Sequence, residues 1–118
     1  MVKFSLASLA VAVLLLIIAY LAFFEPIPVK GSSMEPTYVD GDYVLFEKVS
    51  VYLNRVQPGD VIAFHYPLDP SIRLVKRVEV VEDGRFFVVG DNAAESSDSR
   101  EWGPVDRSLL IGKAIWKY

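Results

Sequence analysis

Residues 4–24 contain no charged side chain. A helix of that length would span about 31 Å, close to the ~30 Å hydrocarbon core of a bilayer. Cleavable secretory signals have apolar cores of about 7–15 residues and end at small-x-small sites. This run is longer and ends in Phe23-Phe24-Glu25-Pro26, so it predicts a retained transmembrane helix over 4–24 and a single globular domain over 25–118. Lys3 and the terminal amine precede the run and Glu25 follows it. That asymmetry favours a cytoplasmic N-terminus and a domain on the extracytoplasmic side of the cell membrane. Pro26 and Pro28 stop the helix and force an extended link, which keeps the domain close under the membrane face.

Beyond the prolines the pattern changes to short β-branched and aromatic runs bounded by turn residues, the signature of strands. Tyr43-Val44-Leu45-Phe46 follows Asp40-Gly41-Asp42, and Val61-Ile62-Ala63-Phe64 follows Gln57-Pro58-Gly59-Asp60. Between them, Val49, Val51, Tyr52 and Leu53 read either as a hairpin packed on the core or as an apolar tip that dips into the membrane interface. Pro67 and Pro70 bracket a loop, after which residues 73–81 read as a long strand. Alternation places Leu74, Lys76, Val78 and Val80 on one face and Arg73, Val75, Arg77, Glu79 and Val81 on the other. Asp83-Gly84 predicts a two-residue hairpin returning through residues 85–89, which brings Gly90-Asp91-Asn92 back beside Lys76. The polar stretch 90–103 reads as a loop, and residues 109–116 as a closing strand. The fold class that results is mainly β, a small antiparallel sheet or barrel-like domain behind one helix.

Composition narrows the chemistry. There are no cysteines and one histidine, His65, so neither a thiolate nucleophile nor a metal site rich in Cys or His is available. No cofactor is expected, and any catalysis must use Ser, Lys, Asp or Glu. A net charge of -3 and a pI near 5.1, with scattered basic residues, speak against a nucleic-acid partner. The lipid bilayer is the partner that the N-terminal run predicts.

Two positions stand out for chemistry. In Gly31-Ser32-Ser33-Met34-Glu35-Pro36-Thr37 two adjacent hydroxyls are flanked by a residue of wide backbone freedom and one of fixed φ, so a hydroxyl can be held at a defined angle. The same composition also suits an ordinary loop. Lys76 shares a strand face with apolar side chains. Burial would lower its pKa and make the amine a base, whereas a lysine that snorkels to water would stay cationic.

Taken together, these stretches resemble the type I signal peptidases, membrane-anchored Ser-Lys endopeptidases that remove signal peptides from exported preproteins. The resemblance rests on four boxes in the family's order: residues 31–37, Pro58-Gly59-Asp60-Val61-Ile62, Leu74-Val75-Lys76-Arg77-Val78, and Gly90-Asp91-Asn92 with Ser96-Ser97-Asp98-Ser99-Arg100 and Trp102-Gly103-Pro104. It implies Ser33 as nucleophile, Lys76 as general base and Ser96 as the hydroxyl that orients the lysine. It further implies Asp98 and Arg100 as a supporting ion pair, and cleavage after small residues of Ala-x-Ala type. His65 has no role in this scheme.

The chain also departs from the family's pattern. Gly31 occupies a position where some members carry an oxyanion-hole serine, leaving the Ser33 backbone N–H as donor. One hairpin stands where many members carry a large inserted β domain. That brevity is shared with maturation proteases of nickel superoxide dismutase, which cut a dedicated substrate. Two further readings are a membrane-tethered β module without activity and a relative of the self-cleaving SOS repressors. The latter are soluble and carry a DNA-binding segment, which the anchor and the acidic balance oppose.

Overall fold

The structure, a computed structural model, describes residues 2–118. Helix α1, Leu6–Phe23, begins at Ser5, whose hydroxyl accepts from the Ser8 N–H at 3.1 Å, so one of the orphan donors of the first turn is satisfied. It is apolar on every side and buries none of its residues against the domain. Length and composition suffice for it to cross a membrane. It ends one residue earlier than the sequence predicts because Phe24 already pairs as the first residue of a strand.

That strand is β1, Phe24–Pro28, antiparallel to β2, Tyr43–Glu47. The extended link forced by Pro26 and Pro28 is therefore part of the sheet. Proline cannot donate to a ladder on both sides, which suits β1 to the sheet edge. The remaining strands are β3 (Val61–Tyr66), β4 (Asp69–Glu82), β5 (Arg85–Val89), β6 (Val105–Asp106) and β7 (Leu110–Lys117). They form one sheet in the order β1-β2-β7-β3-β4-β5-β6, with all pairs antiparallel. This is the mainly β domain read from the sequence.

Two apolar clusters hold it together. One gathers Val56, Ile62, Phe64, Val78, Phe86, Val88, Val105 and Leu110; the other gathers Ile27, Val29, Val44, Phe46 and Ala63. Ile62 and Ala63 are adjacent on β3 and belong to different clusters, so β3 is covered on both faces, as its unbroken apolar run Val61–Phe64 requires.

Three local expectations are corrected. Residues 49–52 form not a hairpin but a helical turn, α2 (Val49–Tyr52). The Tyr52 hydroxyl donates to the Ala22 carbonyl at 3.2 Å, satisfying an orphan acceptor at the end of α1. Strand β4 starts at Asp69 rather than Arg73, and its register with β5 shifts between Val78 and Val80. That bulge breaks the predicted alternation, and Val80 is 46% exposed rather than sharing the face of Val78. The polar stretch 90–103 is not structureless: it holds a 3-10 turn, Ala93–Glu95, and a helical turn, α3 (Ser99–Trp102), capped by Asp98. The hairpin at Asp83-Gly84 is as expected, with both residues at positive φ, 52° and 71°.

Candidate active site

The hydroxyl turn follows directly from β1. Gly31 sits at φ +81°, where a side chain would be strained, and its N–H donates to the Asp40 carboxylate at 2.7 Å. Met34 is 1% exposed and pins the turn into the domain, while the Tyr38 N–H closes on the Met34 carbonyl at 3.0 Å. Asn92 holds the preceding backbone: its N–H donates to the Ser33 carbonyl at 2.8 Å and its side-chain amide to the Ser32 carbonyl at 3.1 Å. Ser33 is thus fixed through its main chain and is one of the residues that line a groove.

Lys76 lies on β4 opposite Ile62 of β3 and is 4% exposed. Its ammonium nitrogen donates to Ser96 Oγ at 3.2 Å. Among the described residues, no carboxylate lies within ion-pair distance of it. Burial pushes the Lys76 pKa below its ordinary 10.5, with Asp98 pulling it part of the way back and Arg100 pushing it further down.

Ser96 in turn donates to Asp98 Oδ2 at 2.8 Å. The Asp98 side chain is 0% exposed and paired with Arg100 at 2.9 Å. It also accepts the Gly90 N–H at 3.0 Å and the Arg100 backbone N–H at 3.2 Å. Burial would raise its pKa, but hydrogen bonds from the Arg100 side chain, Gly90, Ser96 and the Arg100 main chain outweigh that and hold it well below the usual carboxylate range. The result is a chain from Arg100 through Asp98 and Ser96 to the lysine amine. Gly90 is the spacer that lets this chain meet the serine turn. A Cβ there would fall 2.2 Å from Ser96 Oγ and 2.5 Å from the Ser33 carbonyl oxygen.

Ser33 and Lys76 both line two neighbouring cavities. One, about 490 Å³, runs between the free edge of β1 (Ile27, Pro28, Val29) and the β4 stretch from Ser71 to Lys76. Over that stretch β4 pairs only with β3, since its pairing with β5 begins at Arg77. The other, about 510 Å³, is walled by Tyr66, Leu74, Glu95, Ser97 and Trp102. A larger groove of about 740 Å³ on the β4–β5 hairpin contains none of the candidate residues. His65 lies outside both cavities, its Nδ1 3.0 Å from the Pro70 carbonyl oxygen.

Ser33, Lys76, Ser96, Asp98 and Arg100 are therefore brought into one region. Sequence reasoning gave no role to a second ion pair beside them. Arg77 holds Asp91 through bonds of 2.8 and 2.7 Å and reaches the Gly59 carbonyl at 2.7 Å, while Thr37 donates to the same carboxylate. Hydrogen bonds from Arg77 lower the Asp91 pKa, and the same bonds raise that of Arg77. This pair ties the serine turn, the loop before β3 and the end of β5 together. The hairpin register, which pairs Arg77 with Val89, was the available signal. It puts an arginine within reach of an aspartate just past the end of β5.

An apolar helix feeding an antiparallel β domain, with a hydroxyl turn and a buried lysine at the end of an edge groove, is the arrangement expected of a membrane-anchored serine peptidase. The chain belongs to the signal peptidase family, peptidase S26, whose profile matches residues 2–79 and 78–118. It is 29% identical over 161 aligned positions to the probable signal peptidase I-1 of Synechocystis, covering 99% of this chain and 82% of that protein. It is 31% identical to the mitochondrial inner membrane protease subunit 1 of Mus musculus, covering 75% of this chain and 65% of that protein. With the mitochondrial ATP-independent inner membrane protease subunit 1a of Arabidopsis thaliana the identity is 33%, over 74% of this chain and 66% of that protein. The chain thus spans about two thirds of its mitochondrial relatives. The Synechocystis alignment has more positions than this chain has residues, so that relative carries extra residues.

Proposed function

We propose that this protein is a membrane-anchored endopeptidase that removes signal peptides from exported preproteins by cutting after small residues, with Ser33 as nucleophile and Lys76 as general base. The observation that carries the reading is the amine of Lys76: buried, without a carboxylate partner among the described residues, oriented by Ser96 and facing the same groove as Ser33. A lysine so placed is pushed toward the neutral form that can take a hydroxyl proton.

Neutral Lys76 takes the Ser33 proton as Oγ attacks the carbonyl carbon before the scissile bond. The Ser33 backbone N–H faces the negative charge that develops on the carbonyl oxygen. The ammonium then gives its proton to the leaving amine, and the C–N bond breaks to leave an ester on Ser33. Lys76, neutral again, deprotonates the water that hydrolyses the ester. Ser96, Asp98 and Arg100 hold the lysine in place without touching substrate. The substrate adds as a strand between the free edges of β1 and β4, where main-chain bonds supply affinity. Ile27, Val29 and Val75 wall this groove, which supports a preference for small side chains at the first and third positions before the cut. With α1 spanning the cell membrane, the domain works on the extracytoplasmic face.

The test is incubation of the detergent-solubilised chain with a precursor carrying an Ala-x-Ala site and mapping of the products by mass spectrometry. One cut after the second alanine is expected; an intact precursor or scattered cuts would reject the assignment. A narrower reading, a protease dedicated to one substrate, draws on the single short hairpin at residues 83–84. A panel of unrelated precursors separates the two, since a dedicated enzyme would process one of them.

A further inference from the structure

The groove between β1 and β4 has a charged end that the chemistry above does not use. Its lining contains Lys30, Arg73 and Lys76 and no carboxylate. At the end next to α1, the Arg73 guanidinium of β4 is paired with Glu25 of β1, and Lys48 reaches the same carboxylate at 3.3 Å. Two cations thus share one anion, and none of the three side chains is fully buried: Lys48, Glu25 and Arg73 are 20%, 30% and 43% exposed. The cluster is a charged rim with an excess of positive charge, and its Arg73 lines the groove itself.

Period-2 geometry fixes which substrate side chain meets it. Glu25 lies two residues before Ile27 on β1, and Arg73 two before Val75 on β4, so the pair continues the face formed by Ile27 and Val75. Both strands run away from α1, because Glu25 pairs with Arg73 at one end of the groove and Ser33 and Lys76 line the other. A preprotein whose signal segment lies in the membrane enters in the same direction. If its first and third side chains before the cut face Val29, Ile27 and Val75, its fifth lies over the Glu25–Arg73–Lys48 cluster.

We propose that this cluster reads charge at the fifth residue before the cut, favouring an acidic side chain and disfavouring a basic one. An arriving carboxylate shares the second cation and completes a two-by-two network. An arriving lysine adds a third positive charge next to the one carboxylate. The inference rests on the strand-addition reading of the groove.

Three peptides with the same Ala-x-Ala site and Glu, Gln or Lys at the fifth position before the cut are compared by kcat/KM, using the full chain in detergent. For partly exposed charges, Glu should exceed Lys by about three- to fivefold, with Gln between, and the spread should shrink in about 1 M salt. Arg73→Glu should reverse the order, and Arg73→Gln should flatten it if the reversal variant does not fold. Equal rates on all three peptides in the unmodified chain, or an unchanged order in both variants, would overturn the inference while leaving the proposed activity standing. Failure to cut any of the three would reject the activity itself.

Discussion

Lys76 sets local chemistry against stability. Its side chain is 4% exposed, yet in water it would be cationic. Because the folded pKa is depressed, the unfolded chain binds the extra proton between that value and 10.5, so this residue's contribution to stability improves as pH rises across that window. Activity has the same sign. With Lys76 as the proposed base, cleavage would require the neutral amine, so kcat/KM should climb with pH and level off below 10.5, the ordinary lysine value. A profile with its maximum near pH 4, close to ordinary carboxylate pKa values, would make Asp or Glu the working base. Asp98 has the opposite burden, a buried charge made tolerable by five donated bonds. Asp98→Ala should lower stability, because it leaves the Gly90 N–H and Ser96 hydroxyl without their acceptor, and should lower turnover through a misplaced Ser96. Urea unfolding and steady-state kinetics on the same preparation check both. Since its folded pKa is depressed, the stability Asp98 supplies is fully present above about pH 3.9 and is lost as pH falls through the folded value.

At the scale of elements, most of the architecture was legible. The apolar run, the strands at Tyr43, Val61 and Arg85, and the Asp83-Gly84 hairpin each declare themselves through length, β-branched content or turn chemistry. The parts that were not legible share a cause. The bulge at Val78–Val80, the helical turn α2 and the extension of β4 back to Asp69 are each set by a tertiary partner, β5, the end of α1 and Tyr66 of β3, respectively, while α3 is a single turn capped by its neighbour Asp98. Their own residues carry no periodicity long enough to reveal them. Helix α1 is the element whose removal is most informative, since it buries nothing in the domain. Deleting residues 1–23 keeps β1 whole. The truncated protein should cut free peptides at about the full-length rate but process bilayer-embedded precursors more slowly, because tethering raises the effective concentration near the membrane. Equal rates on precursors embedded in vesicles would show that α1 does not serve the reaction in this way.

At the scale of the whole molecule, the site exists only as an assembly. The serine comes from the turn after β1 and the lysine from the middle of β4. Ser96 and Asp98 come from the segment before α3, and Gly90 and Asn92 from the exit of β5, drawn together by bonds of 2.8 to 3.2 Å. The sequence carried the residues of this assembly through its resemblance to a family. The reason for Gly90 was invisible there, because it lies in the space between two segments that meet only after folding. Arg77 and Asp91, by contrast, were within reach of the predicted β4–β5 hairpin register. The account depends most on which of two adjacent hydroxyls reacts. The direct measurement is the cleavage rate of one Ala-x-Ala precursor by the unmodified chain and by Ser33→Ala, Ser32→Ala and Lys76→Ala, each checked for an unchanged circular dichroism spectrum. The account predicts loss of activity by about 10³-fold or more for Ser33→Ala and for Lys76→Ala, whose effects are not additive, and a loss of less than about tenfold for Ser32→Ala, which removes only a neighbouring polar group. Near-normal turnover by Ser33→Ala or Lys76→Ala, or loss confined to Ser32→Ala, would contradict it.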